Sequence, residues 1–165
     1  MIYEGTNGIQ AMDLLGRKLG LNKGKPVMDL LGEIQKSIAM AKDAQGLEDL
    51  AAKLEGIVDK LGEVALHMGM TAMSPKVMNA FAFAHPFMEV CGDVVMAWML
   101  LWRAAIASNK LEKGAKKKDV AFYQGQIKSA EFFIYSILPI TVGKIKAILT
   151  TNGAAVDIDE KSFGG

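Results

Sequence analysis

Three groups of side chains have the types and spacings that chemistry can use. Glu4 stands in the turn Glu4-Gly5, just ahead of Thr6 and Asn7. Both Thr and Asn are good N-cap residues, so the Glu4 carboxylate is expected in a loop at the start of a helix. Backbone N–H groups and the helix dipole also meet anions at such a place. Taken alone, Glu4-Gly5-Thr6 reads as an acidic turn before an ordinary helix, since three residues carry little information. Glu63 and His67 lie four apart, as do His85 and Glu89. Di-metal sites in helical bundles want Glu-x-x-His, three apart, from facing helices. Neither pair has that form, so no metal site is expected; His67 reads as a surface or boundary residue and His85 as a packed one. Cys91 lies in the most apolar stretch, where a thiol behaves as a small hydrophobe rather than a nucleophile. No P-loop, G-x-G-x-x-G or G-x-S-x-G string occurs.

The elements that must position these groups are helices. Ile9, Met12, Leu15 and Leu19 recur at near-helical spacing behind the Glu4 loop. Residues 21–25 read as a linker, and Pro26 suits the first position of a helix carrying Val27, Leu31, Ile34, Ile38 and Ala41 inward. Leu47, Leu50, Leu54, Ile57, Leu61, Val64 and Met68 hold a heptad row, with charge on the other side. Ser74-Pro75 reads as an N-cap and first helical residue, opening a helix that is apolar almost all round and kinked at His85-Pro86. Residues 109–119, with five lysines, read as a solvated basic loop. A last helix from about Val120 to Thr150 turns Ile127, Ala130, Phe133, Ile134, Ile137, Leu138, Ile145 and Ile148 inward, with a second kink at Pro139. The Gly-rich, acidic residues 151–165 are expected to be a flexible tail.

No strand-like alternation is present, so the expected fold is all-α, an antiparallel helical bundle. The 165 residues suffice for a sizeable core; 51% are hydrophobic and 22% charged, a globular composition. Nineteen basic and eighteen acidic residues nearly cancel, which excludes a nucleic-acid or anionic-membrane partner driven by net charge. The single cysteine permits no internal disulfide. The longest uninterrupted apolar run, Val94 to Trp102, is half of what a membrane span needs. No membrane span is expected, and a cytoplasmic location is. The eleven methionines read better as scattered core filling than as a binding groove.

The full string Ile2-Tyr3-Glu4-Gly5-Thr6-Asn7-Gly8-Ile9-Gln10, followed by Asp13-Leu14-Leu15-Gly16-Arg17-Lys18-Leu19, carries a more specific signal. It resembles the loop and last core helix of the flavin-dependent acyl-CoA dehydrogenases, most of all the larger bacterial members with an added helical C-terminal domain. The block FFIYSILP at 132–139 resembles the F-Y-x-x-x-x-L-P pattern of the final helix in those enzymes. The resemblance implies that Glu4 is the catalytic base taking an α-proton from an acyl-CoA. It implies that Tyr3 lines the acyl pocket, that Gly5 lies against the thioester, and that Thr6, Asn7 and Gly8 run along FAD. Gly8 departs from the family, in which many members carry Glu or Gln there, so its flavin contact is through backbone alone.

The resemblance further implies that residues 1–20 end a dehydrogenase core, that 26–150 form the appended bundle, and that the rest of the flavin-holding core is the missing partner. FAD is therefore not expected to be retained by this chain alone, and a homo-oligomer is expected. The apolar face of the first helix should fold back on the bundle or pair with another copy. Two functions remain open. One is the C-terminal fragment of an FAD-dependent acyl-CoA dehydrogenase, inactive by itself. The other is a stand-alone helical interaction module carrying the motif as a relic.

Overall fold

The heptad row builds the helix it predicts. α3 (Glu48–Ala72) buries Leu50, Leu54, Ile57, Val64 and Met68, with Leu61 half-buried, in a computed structural model that describes residues 5–164. Leu47, just outside its first turn, is buried too. Among the described residues there is no strand, and the fold is all-α.

α1 (Thr6–Asp13) continues through a π turn (Leu14–Lys18). The expected linker is a tight reversal in which Asn22 (φ 48°), Lys23 (φ 58°) and Gly24 (φ 81°) are successively left-handed. Gly adopts that region freely and Asn tolerates it, whereas Lys23 does so under strain. α2 (Lys25–Lys42) follows at once, with Pro26 in its first turn and Ile34, Ile38 and Ala41 buried. A short connection sets it antiparallel to α3, and Lys42 Nζ meets Glu55 at 2.8 Å across the pair.

The next helix differs from the sequence expectation. Ser74 Oγ donates to the Thr71 carbonyl at 2.8 Å and accepts from the Lys76 amide at 3.1 Å, so it closes the end of α3. The N-cap of α4 (Val77–Ala82) is Lys76. The chain breaks at Phe83, and α5 (Ala84–Glu112) starts afresh with Pro86 in its first turn, where no amide is needed. The anticipated kink is therefore a break between two helices, and His85 is exposed at the new helix start rather than packed.

α5 is central, meeting α1, α2 and α3 as well as α6 (Val120–Phe132) and α7 (Leu138–Leu149). It is not enclosed: Phe87, Val90, Val94, Ala97, Leu101 and Ala104 are buried, while Val95, Met96, Trp102 and Ile106 face outward. Trp98 Nε1 donates to Ser37 Oγ at 2.7 Å, tying α5 to α2. α6 and α7 join through a π turn (Phe133–Ile137) into one 30-residue helix. That turn widens the helix directly before Pro139 and lets it continue past a residue with no N–H. Thr141 Oγ1, fully buried, donates to Asp93 at 2.8 Å, and Lys144 pairs with Asp93 at 3.2 Å and Glu89 at 3.3 Å.

By length and composition α5 and the 120–149 helix each reach what a membrane crossing needs, which the longest uninterrupted run did not reveal. In this fold both are bundle helices with one buried face. The C-terminal stretch carries helical turns: Gly153 (φ 82°) is buried against Asn79 and Asp157, and α8 (Ala154–Asp157) lies on α4.

Candidate functional site

The sequence places its chemistry at the start of α1. Tyr3 and Glu4 lie outside the described residues. Gly5 is the N-cap (φ −145°, ψ −11°), and its carbonyl accepts from the Ile9 amide at 3.2 Å. The anticipated capping by Thr6 or Asn7 does not occur: Gly5 is the N-cap, Thr6 and Asn7 are the first and second residues inside the helix, and no side-chain hydrogen bond is made at the N-cap. Thr6, Asn7 and Gly8 form an exposed first turn, where the backbone N–H groups and the helix dipole favour an anion. Nothing lies within 4 Å of where a Cβ on Gly8 would sit, so a flat group can approach that backbone closely.

What holds this turn in place is the other end of the helix. Ala11 and Leu15 are buried against Val64, Met68, Ala80, Phe87 and Val90, with Leu14 and Leu19 half-buried beside them. The first helix is thus folded back on the bundle through the Leu15 and Leu19 end of the expected face, joined by Ala11 and Leu14, whereas Ile9 is 61% exposed and Met12 47%. The π turn brings Leu14, Leu15 and Leu19 inward together, and Gly16 sits against the Phe81 ring, 3.6 Å from its would-be Cβ. Arg17 grips Asp13 with two bonds of 2.6 and 2.8 Å, and Lys18 reaches it at 3.2 Å. The Arg17 hydrogen bonds hold the Asp13 carboxyl down at about 2.

Two hollows flank this helix. An open groove of ≈ 620 Å³ runs between Leu15, Gly16, Leu19 and Gly20 on one side and Leu66, Gly69, Met70 and Met73 on the other. A narrower apolar cavity of ≈ 120 Å³ lies among Leu14, Leu19, Leu31, Leu61, Phe87 and Cys91. Burial there pushes the Cys91 thiol up to about 12, which makes it a packing group and not a nucleophile. Among the described residues no three His, Cys, Asp or Glu converge as metal ligands. The methionines contradict the core-filling expectation: Met68 is buried, but Met12, Met28, Met70, Met73, Met78 and Met96 are exposed. Periodicity around α3 and α5 reported apolar character without reporting which faces find a neighbour.

A family profile described as Acetyl-CoA dehydrogenase C-terminal like matches residues 30–159. The chain belongs to that family. It is 30% identical over 98% of its length to a butyryl-CoA dehydrogenase of Syntrophomonas wolfei, of which it spans 26%. It is 28% identical over 98% of its length to the broad-specificity linear acyl-CoA dehydrogenase FadE5 of Mycobacterium tuberculosis, spanning 27% of it. Against the 3-methylmercaptopropionyl-CoA dehydrogenase of Ruegeria pomeroyi it is 32% identical over 83% of its length, spanning 23%. The chain thus spans about a quarter of the length of these relatives. The profile covers the bundle from α2 onward, whereas the alignments at 98% of the chain also take in the α1 region.

Proposed function

We propose that this chain is the C-terminal part of an FAD-dependent acyl-CoA dehydrogenase and supplies its catalytic base. Residues 1–20 complete the dehydrogenase core, 21–25 turn the chain, and 26–150 form the appended bundle that anchors it. The observation that carries this reading is the first turn of α1, exposed and without a side-chain cap, on a helix whose next turns are docked by buried Ala11 and Leu15, directly after Glu4 in sequence. Glu4 takes the α-proton of an acyl-CoA thioester. Tyr3 borders the acyl chain and Gly5 leaves room for the thioester.

The residues present fit FAD along one edge: Thr6, Asn7 and Gly8 offer an amide-rich, positively poised helix start with no side chain over Gly8. FAD, when bound, supplies the acceptor for the β-hydride. The pull of the helix start favours the Glu4 carboxylate, while desolvation by substrate favours its protonated form, and a base needs the second to offset the first. A core provided by the rest of the polypeptide would complete that desolvation.

The test is Glu4→Gln in the flavin-containing enzyme that carries this segment. Gln keeps the shape and removes the proton acceptor, so turnover with butyryl-CoA should fall on the order of 100-fold or more, with the flavin absorbance band unchanged. A variant retaining more than about a tenth of the rate would show that Glu4 is not the base. If no flavin-holding polypeptide is encoded with this chain, the stand-alone helical module is the correct reading instead.

A further inference from the structure

The narrow cavity at the C-terminal end of the first helix differs in kind from the other hollows. It measures ≈ 120 Å³, and its wall exposes no polar atom. Leu14 and Leu19 reach it from the first helix, Leu31 from α2, Leu61 from α3, and Phe87 and Cys91 from α5. The open groove beside it takes in Lys23, and a cleft between α5 and α6 takes in Arg103 and Gln126. A buried water needs about two to four polar partners. This wall offers hydrocarbon and the Cys91 sulfur, so the cavity is dry.

Small residues leave the space. Gly62, inside α3, has nothing within 4 Å of a would-be Cβ, although glycine weakens a helix interior. Cys91 is the smallest side chain that α5 turns to the cavity. A leucine at either position would occupy the volume, and protein interiors otherwise leave few voids of this size. Gly62, Leu30 and Val95 are exposed and mark the rim on which the cavity meets solvent. No charged side chain stands in the wall or at that rim.

We propose that this cavity is a binding site for one small uncharged hydrocarbon group of about the size of benzene. Dry apolar cavities of about 150 Å³ take benzene or xenon, and one slightly smaller takes about six carbons or fewer. The group is a free molecule or the end of an alkyl chain whose polar head stays outside the rim. Leu14 and Leu19 form one wall and α2, α3 and α5 the others, so an occupant joins the first helix to the bundle. Filling the site therefore holds the first helix in its docked position. This rests on the cavity and not on the reading of Glu4, which stands at the opposite end of that helix.

Methyl NMR of the intact chain with benzene tests this. The expected result is ring-current shifts at the Leu14, Leu19, Leu31 and Leu61 methyls. The melt should rise by about 3–6 °C with benzene at ten times its dissociation constant. Amide exchange over residues 14–19 should slow about tenfold under the same condition, because the opening that frees the first helix also empties the site. Cys91→Leu fills the space from inside and should abolish all three responses. Gly62→Leu fills it from the rim and gives the same result independently of any overpacking at 91. Octanoate separates the two sources: melt and exchange responses to benzene alone assign a free molecule, and responses to both assign a chain end. No melt response to benzene, shifts at the Met70 and Met73 methyls of the open groove instead, or a full response in both filled variants overturns the proposal. So does loss of the response in a flavin-containing polypeptide that carries this segment, since another part of that polypeptide would then fill the cavity.

Discussion

Leu15→Ala asks whether the bundle positions the Glu4 loop. Leu15 is 5% exposed, packed with Ala11 in the core beside Phe87 and Met68. Truncation removes about three carbons' worth of burial at ~0.8 kcal/mol each and leaves a partial void, for a loss of about 2–3 kcal/mol. The lower end of the Leu→Ala range applies because the site borders the open groove at Gly16 and can partly collapse. For a chain of this length each kcal/mol moves Tm by about 2–4 °C, so the melt should fall by roughly 5–10 °C. Removing α1 altogether sets the ceiling, and a chain starting at Gly24 measures it. Met12→Ala, on the exposed side of the same helix, should stay within about 0.5 kcal/mol. Calorimetry of the three proteins decides. If Leu15→Ala melts within about 1 °C of wild type, α1 is not docked and the positioning argument fails.

Two further perturbations bear on the same packing. Cys91 ionises in the unfolded chain near its ordinary value of 9.0 but only at about 12 when folded, so the unfolded state sheds protons first and stability should decline as pH rises from 9 toward 12. Cys91→Ala should flatten that decline in melts across the range, and native Cys91 should resist thiol reagents until the protein unfolds; rapid native labelling would show the cavity is open. Asp93→Ala strands the buried Thr141 hydroxyl and one partner of Lys144, and should cost about 1–3 kcal/mol by denaturant unfolding, with Lys144→Met costing less because Glu89 and Asp93 keep access to water. Equal losses from the two would show that the ion pair, not the Thr141 bond, dominates. The Asp93 and Glu89 contacts raise the Lys144 ammonium above 10.5 against the opposing pull of desolvation, so its share is present below that pH and is lost as pH rises through the raised value.

The helices were legible because helix formation is governed by spacing within one segment. The heptad row of α3, Pro26 at the head of α2 and the inward row Ala130, Ile134, Leu138, Ile145 and Ile148 all stand where periodicity put them. The likeness of the opening residues to acyl-CoA dehydrogenases was legible for the same local reason, since a catalytic loop is a contiguous string. Tertiary structure decided which of several apolar faces is used. Ile9 and Met12 were as apolar as Leu15, yet Ala11 and Leu15 are the ones buried in the bundle, with Leu14 and Leu19 half-buried beside them. On α5, apolar all round in sequence, only the side met by α1, α2, α3, α6 and α7 is buried, and Met96 and Trp102 are left outside. Pro86 starts a helix where a kink was expected, because the chain breaks at Phe83 and the first turn of α5 has no use for its amide. Hydrophobic spacing states that a face can be buried; only the positions of the other helices state whether it is.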